Sequence, residues 1–170
     1  VIVNIAFKVV KGKLSKKDMF CNISIFINGK EKQIKAFIDT GNLLKDPISG
    51  IPVIVVEVSE LEEMIPKEIV ENLNEILQGK DTKVLTEIPE DYKLKFRIIP
   101  FSSLGKQNGL LLGFIADKVM INLEETKSEL SNIIIGIYEK NLTKNGLYTG
   151  LVGIDIIERC GEYEHFANVK

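Results

Sequence analysis

The chain has 170 residues, 45% of them hydrophobic and 27% charged, with a formal net charge of −2. That length carries one domain with a sizeable core rather than two, so residues 1–170 read as a single domain. Interspersed lysines and glutamates with so small a net charge exclude the electrostatic footprint of a nucleic-acid binder.

The chain opens with VIVNIAFKVV and no methionine, which reads as a domain cut from a longer protein. No apolar run reaches the length that spans a bilayer, and no signal-peptide pattern is present. The lysine cluster KGKLSKK at 11–17 reads as a solvated loop, able to touch an anionic membrane surface if the domain sits near one. FCNISIFI then alternates Cys21, Ile23, Ile25 and Ile27 with Asn22, Ser24 and Phe26, the period of a half-buried strand. Asn28-Gly29 supplies a type I′ hairpin turn, and KQIKAFID returns the chain to Asp39. DTGN and a loop punctuated by Pro47 and Ser49-Gly50 lead to IPVIVVEV, a short buried strand.

Pro66 opens a helix whose Ile69, Leu73, Ile76 and Leu77 share one face, with Gly79 just past its end. Residues 80–93 are polar and read as a loop. LKFRIIPFSS and LLLGFIADKVMI form a long hairpin around LGKQNG, followed by the strand SNIIIGIYEK and a turn at Asn145-Gly146. LYTGLVGIDIIE reads as a strand into Gly153 and a short helix from Asp155. The cysteines Cys21 and Cys160 give neither a metal-ligand spacing nor a disulfide framework, which points to a reduced intracellular protein. The one histidine, His165, lies near the C-terminus and reads as a surface residue.

Asp39-Thr40-Gly41 after a hydrophobic strand is the signature of aspartic peptidases. A tripeptide of this kind arises by chance in a chain this long on the order of a few per cent of the time. Its bland reading is a strand ending in an Asx-type turn, with Gly41 supplying φ > 0. The chemical reading is a carboxylate at a strand end that shares one proton with a twin, one acting as base toward water and the other as acid. In that reading Thr40 locks the loop through its hydroxyl and Gly41 lets the backbone turn tightly.

Two further parts of such a site are in order along the chain. A Gly-tipped hairpin, Leu104, Gly105, Lys106, Gln107, Asn108 and Gly109, would close as a flap over substrate. A hydrophobic-hydrophobic-Gly strand, Leu151-Val152-Gly153, would run beneath the catalytic loop, with IIIGI at 133–137 as a second candidate. One Asp is half of a dyad, so the other half comes from a second copy across a two-fold axis: an obligate homodimer, with no metal and no cofactor.

The stretches FIDTGNLLKDPISGIPVIVVE, FRIIPFSSLGKQNGLLLGFIADKV and IIIGIYEKNLTKNGLYTGL resemble the C-terminal peptidase domain of the sporulation sigma-E factor-processing peptidases of endospore-forming bacteria. The resemblance runs from about residue 20 to about residue 158, and DTGN followed by Leu44, Asp46-Pro47, Ser49-Gly50 and Pro52-Val53 is far more specific than the tripeptide. It implies a mainly β, retropepsin-like half-barrel with one or two packing helices. It also implies an aspartic endopeptidase that removes the N-terminal pro-sequence of a sigma factor, with Asp39 catalytic, Thr40 and Gly41 completing its loop, and Asn42 in the same motif. The parent protein would carry an N-terminal membrane domain, with this domain on the cytoplasmic side. A secreted forespore protein would signal to it across the septum. Where retroviral enzymes have an Arg after the last-strand Gly, Ile154 stands here; Asp155 is then a helix cap rather than a second catalytic carboxylate. The alternatives are a non-enzymatic interaction domain of the same fold and a retroviral-like peptidase with another substrate.

Overall fold

The computed structural model describes residues 19–80, 83–93, 95–103, 106–123 and 126–167, with side chains left aside at 103, 106–108 and 161–167. The lysine cluster at 11–17, the hairpin-tip residues Leu104 and Gly105, and the side chain of His165 therefore lie outside the described residues.

Strands β1 (Phe20–Ile27) and β2 (Lys30–Asp39) form the expected hairpin. Asn28 and Gly29 sit at φ 48° and 77°, the left-handed pair that a type I′ turn requires. Ile23, Ile25 and Ile27 face the core from β1, and Ile34, Ala36 and Ile38 from β2, as the two-residue period dictates. Strand β3 (Val53–Glu57) is buried at every position.

The long second arm of the next hairpin divides. β4 (Phe96–Ser103) pairs with β5 (Lys106–Ile115), and the chain then switches partners into β6 (Lys118–Leu123), which pairs with β1. Asp117 anchors the switch: its N–H donates to the Phe26 carbonyl at 2.9 Å and its carboxylate accepts the Asn28 N–H at 2.5 Å. β7 (Thr126–Leu130), β8 (Ile134–Tyr138) and β9 (Gly150–Gly153) complete one sheet in the order β4-β5-β8-β3-β9-β2-β1-β6-β7.

This order inserts β9 between β2 and β3, the two strands that flank the Asp39 loop in sequence. β9 runs parallel to β2 and antiparallel to β3, while β3 runs parallel to β8. The protein is mainly β, as expected.

The helical segments differ from the expectation. The helix read from Pro66 onward is two single-turn pieces, α1 (Lys67–Glu71) and α2 (Leu73–Leu77). Asn72 separates them, its side-chain amide donating back to the Glu68 carbonyl at 2.8 Å in competition with a continuous helix. Gly79, at φ 67°, ends α2 as expected, and Lys80 N–H closes the turn on the Glu75 carbonyl at 2.9 Å. Residues 80–93 are not simply a loop: α3 (Lys83–Glu87) and α4 (Glu90–Lys93) lie there, held by buried Val84 and Ile88 and by a bond from the Tyr92 hydroxyl to the Met64 carbonyl at 3.0 Å. The C-terminal helix α5 (Ile154–Ala167) is fourteen residues long rather than short.

The main apolar cluster gathers β1, β2 and β6 with Ile69 of α1, Leu73 and Ile76 of α2, and Ile156 and Ile157 of α5. A second cluster, built on Val53, Val55, Ile99, Leu111 and Ile134, lies apart from it. Among the described residues, no helix is long and apolar enough to cross a membrane.

Candidate active site

Asp39 is the last residue of β2. The alternation that buries Ile34, Ala36 and Ile38 leaves it half-buried at the sheet end, in register with Gly153 of β9. The chain reverses at once, with the Asn42 N–H donating to the Asp39 carbonyl at 3.1 Å. The carboxylate is held from within the same turn: Oδ1 accepts the Gly41 N–H at 2.9 Å. Oδ2 has no protein partner among the described residues.

The Asx-type turn is therefore real, but it does not depend on a left-handed glycine, because Gly41 is absent from the positive-φ residues. A Cβ there would stand 3.4 Å from Asp39 Oδ1, an ordinary contact, so the turn geometry itself does not demand glycine at 41. Thr40 is exposed, and its hydroxyl has no hydrogen bond among the described residues.

Asn42 shapes the next step. Its Oδ1 accepts the Leu44 N–H at 3.1 Å, while its Nδ2 is buried without a hydrogen-bond partner among the described residues. Its carbonyl oxygen lies over Gly153, where a Cβ would collide with it and come within 2.8 Å of Asp155 Oδ1. Leu151-Val152-Gly153 is thus the strand beneath the Asp39 loop; the second candidate, at 133–137, is β8 and lies against β3 and β5 instead.

Asp155 accepts the Ile156 N–H at 2.9 Å at the start of α5 and pairs with Lys45 at 3.3 Å. Its carboxylate ties the loop that follows Asp39 to the helix that follows β9.

The remainder of the loop motif is architecture. Asp46 is buried, and its carboxylate accepts the N–H groups of Ile48 and Ser49 at 3.3 and 3.2 Å and the Ser49 hydroxyl. The Ser49 hydroxyl, more than any other contact, holds the Asp46 carboxyl below its ordinary value. Gly50 takes φ 70°, and Lys45 bridges back to Pro52.

An open groove of about 950 Å³ begins at Asp39. Val55, Leu142 and Leu151 line it on the sheet side, and Pro100, Phe101 and Ser102 of β4 line it from the hairpin. Pro100 is tolerated because β4 is an edge strand of the sheet. The hairpin closes with Ser103 opposite Lys106; of the six expected flap residues, Gly109 is the one whose surroundings are described, and it pairs with Phe101. A Cβ on Gly109 would stand 2.5 Å from the Phe101 ring carbon Cε1, so glycine is what lets the ring lie across the strand.

Sequence reasoning missed the wall supplied by Tyr138, Glu139, Lys140 and Leu142. It runs from the last residue of β8 into the connection to β9: Tyr138, Glu139 and Lys140 read in sequence as the end of a strand, and Leu142 as part of the turn that follows. The one available signal was the apolar Leu142 within that polar stretch.

The family model for the sporulation factor SpoIIGA, peptidase family U4, matches residues 1–156. The sporulation sigma-E factor-processing peptidase of Priestia megaterium is 27% identical over 135 residues, covering 79% of this chain and 43% of that protein. The protein of the same description from Bacillus subtilis is 26% identical over 122 residues, 70% of this chain and 38% of its own length. This chain thus spans less than half of either relative. A relative from Bacillus thuringiensis subsp. kurstaki is 28% identical over 135 residues, which take in 82% of it. No solved structure matches significantly. With the family model covering most of its length, the chain belongs to the sporulation factor SpoIIGA family.

Proposed function

We propose that this chain is the peptidase domain of a sigma-factor-processing enzyme and that it cleaves by aspartic chemistry. The observation that carries the reading is the placement of Asp39: at a strand end, beside Gly153 in register, at the mouth of a groove bounded by a hairpin. The insertion of β9 between β2 and β3 is what a retropepsin-like half-barrel requires, and it supports that fold. One Asp39 per chain makes the active enzyme a homodimer, with the two carboxylates sharing a proton across the axis. The exposure of Thr40, Gly41 and Leu43 around Asp39 supports a second copy meeting this face.

Water between the two carboxylates is activated by the ionised one, while the protonated one donates to the scissile carbonyl. An extended substrate lies in the groove, the hairpin covers it, and the β4 edge offers backbone hydrogen bonds. The names of the relatives support a sporulation sigma-factor precursor as the substrate. In the full-length protein the domain lies on the cytoplasmic side of a membrane segment, where a secreted forespore protein governs its activity.

The test is co-expression of the full-length protein with the sigma-E precursor. Processing is expected with the native chain and lost with Asp39→Asn or Asp39→Ala. Processing that survives either substitution refutes the aspartic mechanism.

A further inference from the structure

Glu57, the last residue of β3, carries a carboxylate that is 5% exposed. A buried carboxylate is costly unless its position returns something, and here its side-chain hydrogen bond goes to one backbone group. Oε1 accepts the Leu142 N–H at 2.6 Å, a short hydrogen bond. The backbone N–H of the same residue donates to the Thr149 carbonyl at 3.0 Å. Glu57 also stands in parallel register with Tyr138, where the connection from β8 to β9 begins. One residue therefore holds that connection at its start, middle and end.

Between these points the connection is closed on itself. Thr143 Oγ1 accepts the Leu147 N–H at 3.1 Å, Asn145 Oδ1 accepts it at 3.3 Å, and Gly146 turns at φ 64°. The Glu57 carboxylate is the internal fastening of this unit to the sheet. Leu142, directly at the fastening, lines the groove with Leu151 and Val55 and packs on the cluster built from Val53 and Val55.

We propose that Glu57 is a positioning residue of the peptidase site: its buried carboxylate fixes Leu142 as a wall of the substrate groove and so selects an aliphatic side chain in the substrate. The inference rests on the peptidase reading of the groove. Glu57 touches no reacting atom; it acts through the Leu142 backbone. Glutamine at 57 keeps an acceptor at the Oε1 position, whereas alanine leaves the part-buried Leu142 N–H without this acceptor.

The experiment uses the full-length protein on two sigma-factor precursors that differ at one residue flanking the cut, leucine in one and serine in the other. The quantity read is the ratio of their kcat/KM values, which does not depend on how much enzyme is folded. Glu57→Ala and Leu142→Ala are each expected to lower the preference for leucine by about tenfold, the order that apolar pocket contacts supply. Glu57→Gln is expected to keep the ratio within about threefold of the native value, because the acceptor remains. A native ratio in Leu142→Ala or in active Glu57→Ala overturns the proposal, as does a Glu57→Gln ratio as low as that of Glu57→Ala. Failure of the peptidase reading looks different: there the native protein cuts neither precursor, or Asp39→Asn cuts both.

Discussion

A Gly153→Ala substitution puts a methyl group where the Asn42 carbonyl oxygen lies. The new Cβ would also stand 2.8 Å from Asp155 Oδ1 and 3.4 Å from the Asn42 carbonyl carbon. Ordinary carbon–oxygen contact is about 3.3 Å, so the backbone of one strand or the other shifts by about 1 Å. Backbone yields less readily than a side chain, and the cost falls at the upper end of the overpacking range, about 3 kcal/mol. The shift falls on the turn that holds Asp39 Oδ1, and a displacement of about 1 Å at reacting groups costs on the order of a hundredfold in rate. Gly150→Ala on the same strand is the control: its Cβ meets the flexible end of Ile34 at 2.8 Å, which can swing aside. Thermal unfolding and precursor processing, measured on both variants, separate the cases. Gly153→Ala is expected to lose processing and Gly150→Ala to retain most of it. A Gly153→Ala protein as stable and as active as Gly150→Ala would refute the reasoning about the Asp39 loop.

Gly109→Ala displaces the Phe101 ring, and because the ring is a movable side chain the stability loss stays near 1 kcal/mol while KM rises; steady-state kinetics check this. Asp46 has a lowered carboxyl pKa when folded, so its contribution is complete above the ordinary value of 3.8 and is lost as pH falls through the folded value beneath it. Acid unfolding followed from pH 5 downward is therefore expected to show less pH dependence in Asp46→Asn than in the native chain. Burial, and secondarily the neighbouring Cys160, push the Cys21 thiol up to about 12. Native protein should accordingly resist alkylation of Cys21 at pH 8 and react after unfolding, as mass spectrometry would show.

The parts of the fold that were legible are those where local chemistry and tertiary packing agree. Ile23, Ile25 and Ile27, the Asn28-Gly29 turn and the Leu151-Val152-Gly153 strand each carry a residue pattern with one low-energy use. The two helices within 83–93 were not legible, because each is a single turn held by one or two apolar contacts, from Val84, Ile88 and Tyr92. β7 escaped for a similar reason: TKSEL is polar, and its inward positions are Ser128 and Leu130. The division of β5 from β6 depends on Asp117 meeting Phe26 and Asn28, groups remote in sequence.

At the site, Asp39 and its tight turn were readable because the turn chemistry is local. The groove wall was not, since Glu57 reads as the end of the buried strand IPVIVVEV, and its bond to the Leu142 N–H joins groups remote in sequence. Thr40 shows a different limit. Its hydroxyl reads as a lock on the loop, and among the described residues it has no hydrogen bond.

The most direct test of a dyad made from two copies of Asp39 is subunit mixing. Native chain and Asp39→Asn chain, co-expressed in equal amounts at fixed total, are assayed on the precursor. If both carboxylates are required, about one quarter of random pairs are competent, and processing falls to that fraction. Processing that falls only to about one half would mean each chain works alone, and would contradict the account.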